Sequence, residues 1–150
     1  MKTVIQRVSH ASVTIDGKVK SSIGKGLLIL IGVAEGDTKE DAGWLAKKAA
    51  LLRVFDDNNG VMNLNINEAN GEILVISQFT LLASYKKGNR PSYIHAAKPE
   101  QSVPLYEYFC TVLGKETGKI IQTGEFGADM KVELLNDGPV TICMDTNHKE

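Results

Sequence analysis

Cysteine, histidine, proline and tryptophan are scarce in this 150-residue chain, which holds 2, 3, 4 and 1 of them respectively. The two cysteines, Cys110 and Cys143, form neither a CxxC pair nor a metal-ligand spacing, so we expect both to pack as small hydrophobic residues. The sequence has no HxxEH or HxH pattern, no Walker loop and no GxGxxG fingerprint. It therefore predicts neither a metal ion nor a cofactor.

The chain also lacks an excess of charge and any long apolar run. Its 17 basic and 18 acidic residues give a net charge of -1, so any contact with nucleic acid must be local. The apolar runs reach only about eight residues, well short of the roughly 20 that cross a bilayer, and the N-terminus has no signal-like apolar segment. We expect a cytoplasmic protein without membrane contact, folded as a single domain over residues 1–150.

Hydrophobic periodicity predicts an α/β fold, with mixed β-sheet layers and two helices on one side. Alternating Ala11, Val13 and Ile15 precede the turn pair Asp16-Gly17, which favours a β-hairpin at the start of the chain. The apolar run over residues 26–33 is typical of a strand that is buried on both faces.

The predicted order is two strands, two strand-helix units and three strands. Thr38 and Asp41 form a capping box at the start of the first helix, and the second helix tolerates Pro104 near its first turns. The predicted ranges are 11–15 and 18–23 for the hairpin, 26–33, 39–54, 72–77 and 99–117 for the strand-helix units, and 119–123, 130–136 and 139–144 for the closing strands. Residues 145–150 are polar, and we expect them to fray.

Ser77-Gln78-Phe79-Thr80 lies where a predicted strand runs out, the position at which α/β folds commonly place their ligand sites. Its hydroxyls and amide could bind a substrate, and successive backbone N–H groups there could hold an oxyanion. Serine and threonine also end many strands only by satisfying loose backbone groups. These residues alone leave both interpretations open.

Nucleophilic catalysis by one of these hydroxyls would need a neighbouring base, usually a histidine oriented by a carboxylate. The three histidines are His10, His95 and His148, and we expect each to be a surface residue. His95 is the best candidate of the three, but the sequence gives it no partner.

Two further stretches combine features of a binding surface with those of an ordinary loop. Tyr85-Lys86-Lys87-Gly88-Asn89-Arg90 is the one concentrated basic patch, and it suits phosphate contact with base stacking as well as it suits a solvated loop. Gly138-Pro139 predicts a turn between the last two strands. Its peptide bond can be cis or trans, and either isomer shows two carbonyls and little side chain.

Taken together, three stretches resemble the D-aminoacyl-tRNA deacylase family, which includes D-tyrosyl-tRNA deacylases. They are Ser77-Gln78-Phe79-Thr80-Leu81, Gly88-Asn89-Arg90-Pro91-Ser92, and Phe126-Gly127-Ala128 with Met130 leading to Asn136-Asp137-Gly138-Pro139-Val140-Thr141. Arg7-Val8 with Ala11-Ser12-Val13 is similar to the family's N-terminal strand, so the resemblance spans almost the whole chain.

The resemblance implies hydrolysis of the ester that joins a D-amino acid, or mischarged glycine, to the 3′ end of a tRNA. It also implies a homodimer with two active sites at the subunit interface. The residues that match the family's pocket are Ser77, Gln78, Phe79 and Thr80. Gly138 and Pro139 match a Gly-cisPro element that the partner inserts into this pocket, and Arg7 matches the arginine that braces it. Two fixed carbonyls facing the substrate Cα would exclude an L side chain and admit a D side chain or a hydrogen.

Two mechanisms stay open for the ester cleavage. Thr80 is the nucleophile candidate on motif grounds, although an unactivated threonine is a poor one. The resemblance favours attack by water, with the terminal adenosine 2′-OH assisting and N–H groups near Phe79 and Thr80 stabilising the oxyanion. In either mechanism, Lys86, Lys87 and Arg90 could contact tRNA phosphates.

Two other functions compete with this interpretation. One is a non-catalytic module that binds RNA ends or a protein, and the intact motifs argue against it. The other is an esterase or peptidase of different specificity that uses Thr80 or Ser77, and the lack of a convincing base argues against it.

Overall fold

The computed structural model describes residues 1–150, which form a six-stranded mixed sheet, a small two-stranded sheet and two helices. The strands are β1 (Lys2–Ile15), β2 (Lys18–Ile23), β3 (Gly26–Gly32), β4 (Phe55–Asp56), β5 (Met62–Leu64), β6 (Glu72–Ser77), β7 (Ile121–Thr123) and β8 (Lys131–Asp145). The helices are α1 (Lys39–Leu51) and α2 (Pro99–Thr117), and neither has the length and apolar character of a membrane span. The predicted α/β class is confirmed.

Strand β1 belongs to the sheet's antiparallel part, and both of its edges are paired. β2 and β3 follow one another antiparallel along one edge, where Ala11 faces Ile23 and Val8 faces Gly26, and the β1-β2 register shifts by one residue between Val13 and Thr14. β8 runs antiparallel along the other edge. β6 pairs with β3 and β7 pairs with β6, both in parallel, and each parallel connection passes through a helix, as such crossovers require.

The core has two parts because β3 is buried on both faces, as the sequence predicted. Leu27, Ile29 and Ile31 belong to a cluster of 20 buried residues that lies under α1 and α2, so both helices cover one side of the sheet. Leu28 points the other way, into a cluster of 7 buried residues enclosed by the curled sheet. The curl brings β2 against β7, where the Ser21 hydroxyl donates a hydrogen bond of 2.6 Å to the Thr123 carbonyl.

Both helices begin where the sequence predicted. The capping box of α1 is present, with Thr38 N–H donating to the Asp41 carboxylate at 2.8 Å. α1 ends at Leu51, three residues before the predicted end, because the following residues leave the helix axis to form β4 and bury Phe55. α2 spans the predicted residues, with Pro104 inside it and Gly118 closing it at φ +65°.

The prediction of three closing strands is wrong, since β7 is followed by one long strand, β8. Thr141 faces Gln6 and Asn136 faces Val8, so β8 continues along β1 on both sides of residues 137–140. Residues 137–140 leave the ladder as a bulge, and we call them the projecting segment. The sequence predicted a turn there because it does not show that both flanks pair with the same strand.

Two smaller expectations are also wrong. Thr146 is not frayed but buried, and its N–H donates to the Met1 carbonyl at 2.9 Å while its hydroxyl accepts from the Met1 ammonium at 2.6 Å. Cys143 is exposed on β8, because alternate side chains of that strand face outward. Cys110 does pack against the core as predicted, and its burial raises the pKa of its thiol to about 12.

Candidate active site

The end of β6 is joined to a short 3₁₀ turn, Phe79–Leu82, that lies directly against the end of β3. The Gln78 N–H donates to the Ile31 carbonyl at 2.7 Å, which continues the β3-β6 ladder one residue beyond the strand. Gly32 makes the close approach possible, because a Cβ at this position would lie 2.4 Å from Leu82 Cδ2 and 2.8 Å from the Gln78 carbonyl oxygen. Strand pairing and this glycine therefore fix the turn.

A cavity of about 260 Å³ opens beside the turn and has a mostly apolar wall. Ser77, Gln78 and Phe79 form one side of it, as the sequence predicted for a pocket at the end of this strand. Thr80 does not line the cavity but lies one residue beyond it. The structure thus brings three of the four predicted pocket residues to one cavity.

The Thr80 hydroxyl has no base beside it. The Gln78 side-chain amide donates a short hydrogen bond to Thr80 Oγ1, so a lone pair of this oxygen is occupied and the hydroxyl proton is left free to be donated. No histidine, lysine or carboxylate is bonded to Thr80 or Ser77. This arrangement fits a hydrogen-bond donor better than a nucleophile.

The three histidines are exposed, as predicted. His10 lies 3.9 Å from Glu133 across the β1-β8 pair, and His148 lies 3.2 Å from Asp145. His95 lines a different, open groove of about 880 Å³ that contains none of the residues 77–80. No group of three or more histidine, cysteine, aspartate or glutamate side chains could hold a metal ion.

Two backbone N–H groups of the turn are available to a ligand. The first hydrogen bond within the turn runs from the Leu81 N–H to the Gln78 carbonyl at 3.2 Å. The N–H groups of Phe79 and Thr80 precede it and have no acceptor inside the turn. Unpaired backbone N–H groups of this kind can donate to a negatively charged oxygen of a substrate.

The far wall of the cavity comes from residues that the prediction left out of the site. Tyr106 of α2 and Phe126 meet edge to face, with ring centroids 5.9 Å apart, and Ser102 lies one helical turn before Tyr106. The Tyr106 hydroxyl donates to the Val75 carbonyl at 3.0 Å, and burial raises its pKa well above the usual range. Phe126 belongs to a stretch that carried the family resemblance, whereas the only signal for Tyr106 was its four-residue spacing from Ser102.

A basic loop adjoins the turn through an aromatic contact. The Phe79 and Tyr93 rings meet edge to face at 4.9 Å. The loop is closed by paired hydrogen bonds of 2.8 and 2.9 Å between Ser84 and Ser92. Between these serines lie the predicted RNA-contacting residues Lys86, Lys87 and Arg90, which are all exposed and form no ion pair.

Gly138 and Pro139 form the exposed tip of the projecting segment, and the peptide bond between them is cis. Gly138 has φ +139°, a conformation that L side chains rarely adopt. A Cβ there would also lie 2.7 Å from Val140 Cγ2 and 3.1 Å from Arg7 Nη2. The tip therefore shows backbone rather than side chain.

Arg7 lies beneath the projecting segment and is only 8% exposed. Its Nε donates to the Asp137 carbonyl at 2.8 Å, and its Nη1 donates to the Val54 carbonyl at 2.8 Å and to Asp56 Oδ1 at 3.1 Å. Neither Arg7 nor Gly138 nor Pro139 lines the 260 Å³ cavity. Within one chain, the predicted pocket and the predicted selection residues are thus separate.

Comparisons with known proteins identify the family. The model of the family described as D-Tyr-tRNA(Tyr) deacylase matches residues 4–145. Curated relatives named D-aminoacyl-tRNA deacylase include one from Bacteroides thetaiotaomicron that is 71% identical and one from Bacteroides fragilis that is 69% identical, each over 150 residues and 100% of both chains.

Solved structures agree in fold. A structure titled c-Myc DNA Unwinding Element Binding Protein superposes with a TM-score of 0.91 at 40% identity, covering 97% of this chain and 98% of its own. A structure described as a probable eukaryotic D-amino acid tRNA deacylase shares the fold with a TM-score of 0.80 at 15% identity, covering 95% and 97%. By its sequence over the whole length, this chain belongs to the D-aminoacyl-tRNA deacylase family, whose members are hydrolases that act on ester bonds.

Proposed function

We propose that this protein hydrolyses the ester bond of D-aminoacyl-tRNA and of mischarged glycyl-tRNA in the cytoplasm, releasing free tRNA and the amino acid. The observation that carries the proposal is a cavity with free hydrogen-bond donors at its edge but no nucleophile-base pair. Such a site suits a substrate that brings its own assisting group. The 2′-OH next to the ester of a charged tRNA is a group of that kind.

In the proposed reaction, water attacks the ester carbonyl while the 2′-OH of the terminal adenosine assists. The backbone N–H groups of Phe79 and Thr80 stabilise the oxyanion that forms. Ser77 and Gln78 present their polar groups at the cavity wall, where they orient the end of the substrate. No residue of the chain forms a covalent intermediate.

Chiral selection in this proposal comes from a second copy of the chain. The tip at Gly138-Pro139 is exposed, is held from below by Arg7, and does not reach the cavity of its own chain. Inserted into the cavity of a partner, its carbonyls would lie against the Cα of the substrate and collide with an L side chain. Glycine has no side chain to collide, so glycyl-tRNA would also be cleaved. The active form is then a homodimer.

One assay tests the proposal against its two rivals. The protein is incubated with D-Tyr-tRNA, L-Tyr-tRNA and a simple aryl ester, and release of tyrosine or the aryl alcohol is followed. We expect rapid hydrolysis of D-Tyr-tRNA only. Binding of both tRNAs without turnover would establish a non-catalytic module, and cleavage of the simple ester with no preference between the tRNAs would establish an ordinary esterase.

A further inference from the structure

We propose that Asn136 and Asp56 are positioning residues for chiral selection: they hold the projecting segment in the conformation that excludes an L substrate, without touching the substrate themselves. This inference rests on the proposed function of Gly138 and Pro139. It assigns a part in the reaction to two polar side chains that lie outside the cavity.

Asn136 closes the projecting segment across its base. Its Oδ1 accepts a hydrogen bond of 2.9 Å from the Val140 N–H, and its Nδ2 donates one of 3.0 Å to Thr141 Oγ1. Gln6 of β1 donates to the same threonine oxygen at 3.3 Å, so the closure is tied to the neighbouring strand. One side chain therefore fixes the exit of the segment, where the backbone returns to the ladder.

Asp56 holds the entrance of the segment through Arg7. Arg7 Nε donates to the Asp137 carbonyl, and the orientation of the guanidinium is set on its other side by Asp56 Oδ1 at 3.1 Å and the Val54 carbonyl at 2.8 Å. Asp56 lies in β4, so the small β4-β5 hairpin acts as the support for this arginine. A carboxylate on a buried guanidinium fixes the direction of its fork as well as its charge.

The contacts of Asn136 and of Asp56 with Arg7 matter because the tip at Gly138-Pro139 has no side-chain contacts that would fix its own conformation. Gly138 has no side chain to pack, and Pro139 is exposed. The backbone groups on either side of the tip, the Asp137 carbonyl and the Val140 N–H, are the ones that Arg7 and Asn136 bind. Loss of either contact lets the tip carbonyls retreat from an L side chain, whereas glycine and D substrates need no such exclusion.

The test compares Asn136→Ala and Asp56→Ala with the unaltered protein. For each, kcat/KM is measured on D-Tyr-tRNA, L-Tyr-tRNA and glycyl-tRNA. We expect the D-to-L ratio to fall by about tenfold or more, mainly because L-Tyr-tRNA is cleaved faster, since small displacements of a positioned group have effects of this size. Cleavage of glycyl-tRNA should stay within about twofold, because glycine does not sense the tip.

Conservative and distant variants separate positioning from folding. Asn136→Asp keeps an acceptor for the Val140 N–H, and Asp56→Asn keeps an acceptor for Arg7. Both variants should preserve the D-to-L ratio. Asp129→Ala removes an exposed carboxylate that bonds only Lys131, and should change nothing. If Asn136→Ala does not fold, Asn136→Ser, which is too short to span the base, takes its place.

The measured D-to-L ratios distinguish a positioning role from a structural one and from failure of the proposed function. An unchanged D-to-L ratio in an alanine variant overturns the role of that residue, and so does an equal loss on all three substrates, which marks a merely structural contact. A lack of D-over-L preference in the unaltered protein overturns the proposed function instead.

Discussion

At the scale of single residues, Thr80 decides between the two mechanisms for ester cleavage. Its oxygen already accepts a hydrogen bond from Gln78, and no base is hydrogen-bonded to it. We expect Thr80→Ala to lower kcat on D-Tyr-tRNA by no more than about tenfold, whereas loss of a true nucleophile costs on the order of 10⁶. A D-Tyr-tRNA that ends in 2′-deoxyadenosine should be nearly inert with the unaltered protein.

Single-turnover rates on both substrates measure these effects directly. The opposite pattern, with an inactive Thr80→Ala variant and a 2′-deoxy substrate cleaved at the normal rate, would make Thr80 the nucleophile.

Individual site residues differed in how well the sequence could predict them. Ser77, Gln78 and Phe79 follow a clear apolar strand, and strand ends commonly carry ligand sites, so local pattern and resemblance agreed. Tyr106 was missed because it joins the cavity only after α2 packs across β6 and its hydroxyl bonds to Val75. Tyr106 and Val75 are 31 residues apart in the chain, and a contact over that separation is not visible in a local sequence pattern.

At the scale of elements, the loop between Ser84 and Ser92 is the candidate tRNA-binding surface. It carries three cations and no carboxylate, although the chain as a whole has a net charge of -1. We expect Lys86→Glu combined with Lys87→Glu to weaken tRNA binding and to flatten the slope of log K against log salt by about 1.4 to 1.8, since each of the two phosphate contacts contributes roughly 0.7 to 0.9.

Lys47 and Lys48 provide a matched control, because they are also adjacent, exposed lysines but lie on α1. Their double replacement by glutamate should leave the slope unchanged. Equal slopes for both double variants and the unaltered protein would remove the loop from the binding surface.

The elements themselves were largely predictable, and β8 is the main exception. The hairpin of β1 and β2, the doubly buried β3 and the span of α2 all follow from periodicity and capping. The unity of β8 does not, because Asn-Asp-Gly-Pro suits a turn as well as a bulge. Only the pairing of both flanks with β1, more than a hundred residues earlier in the chain, decides between them.

At the scale of the whole molecule, Asp37 ties together segments that are distant in sequence. Its carboxylate accepts from the Met1 ammonium at 2.7 Å and from the Ala34 N–H at 2.6 Å, and its carbonyl accepts from Gln101 of α2 at 3.1 Å. The ion pair is nearly free of solvent, with exposures of 0% and 4%. A buried pair of this kind is costly to break from one side.

We therefore expect Asp37→Asn to lower the free energy of unfolding by about 3 kcal/mol, measured by urea denaturation. Asp129→Asn, which weakens an exposed pair with Lys131, should leave the unfolding curve almost unchanged. If the two variants unfold alike, the buried pair makes no special contribution to stability.

The position of β1 between β3 and β8 has a consequence for the proposed selection of substrates. The strand holds β3, whose end supports the cavity turn, on one edge and β8, which bears the projecting segment, on the other, and it also carries Arg7. No hinge or long loop separates these parts. In the proposed dimer, the opening between the cavity and the inserted tip would therefore have a constant width. An L-aminoacyl-tRNA would be excluded at the binding step, and no closing motion would be needed to recognise a D-aminoacyl-tRNA.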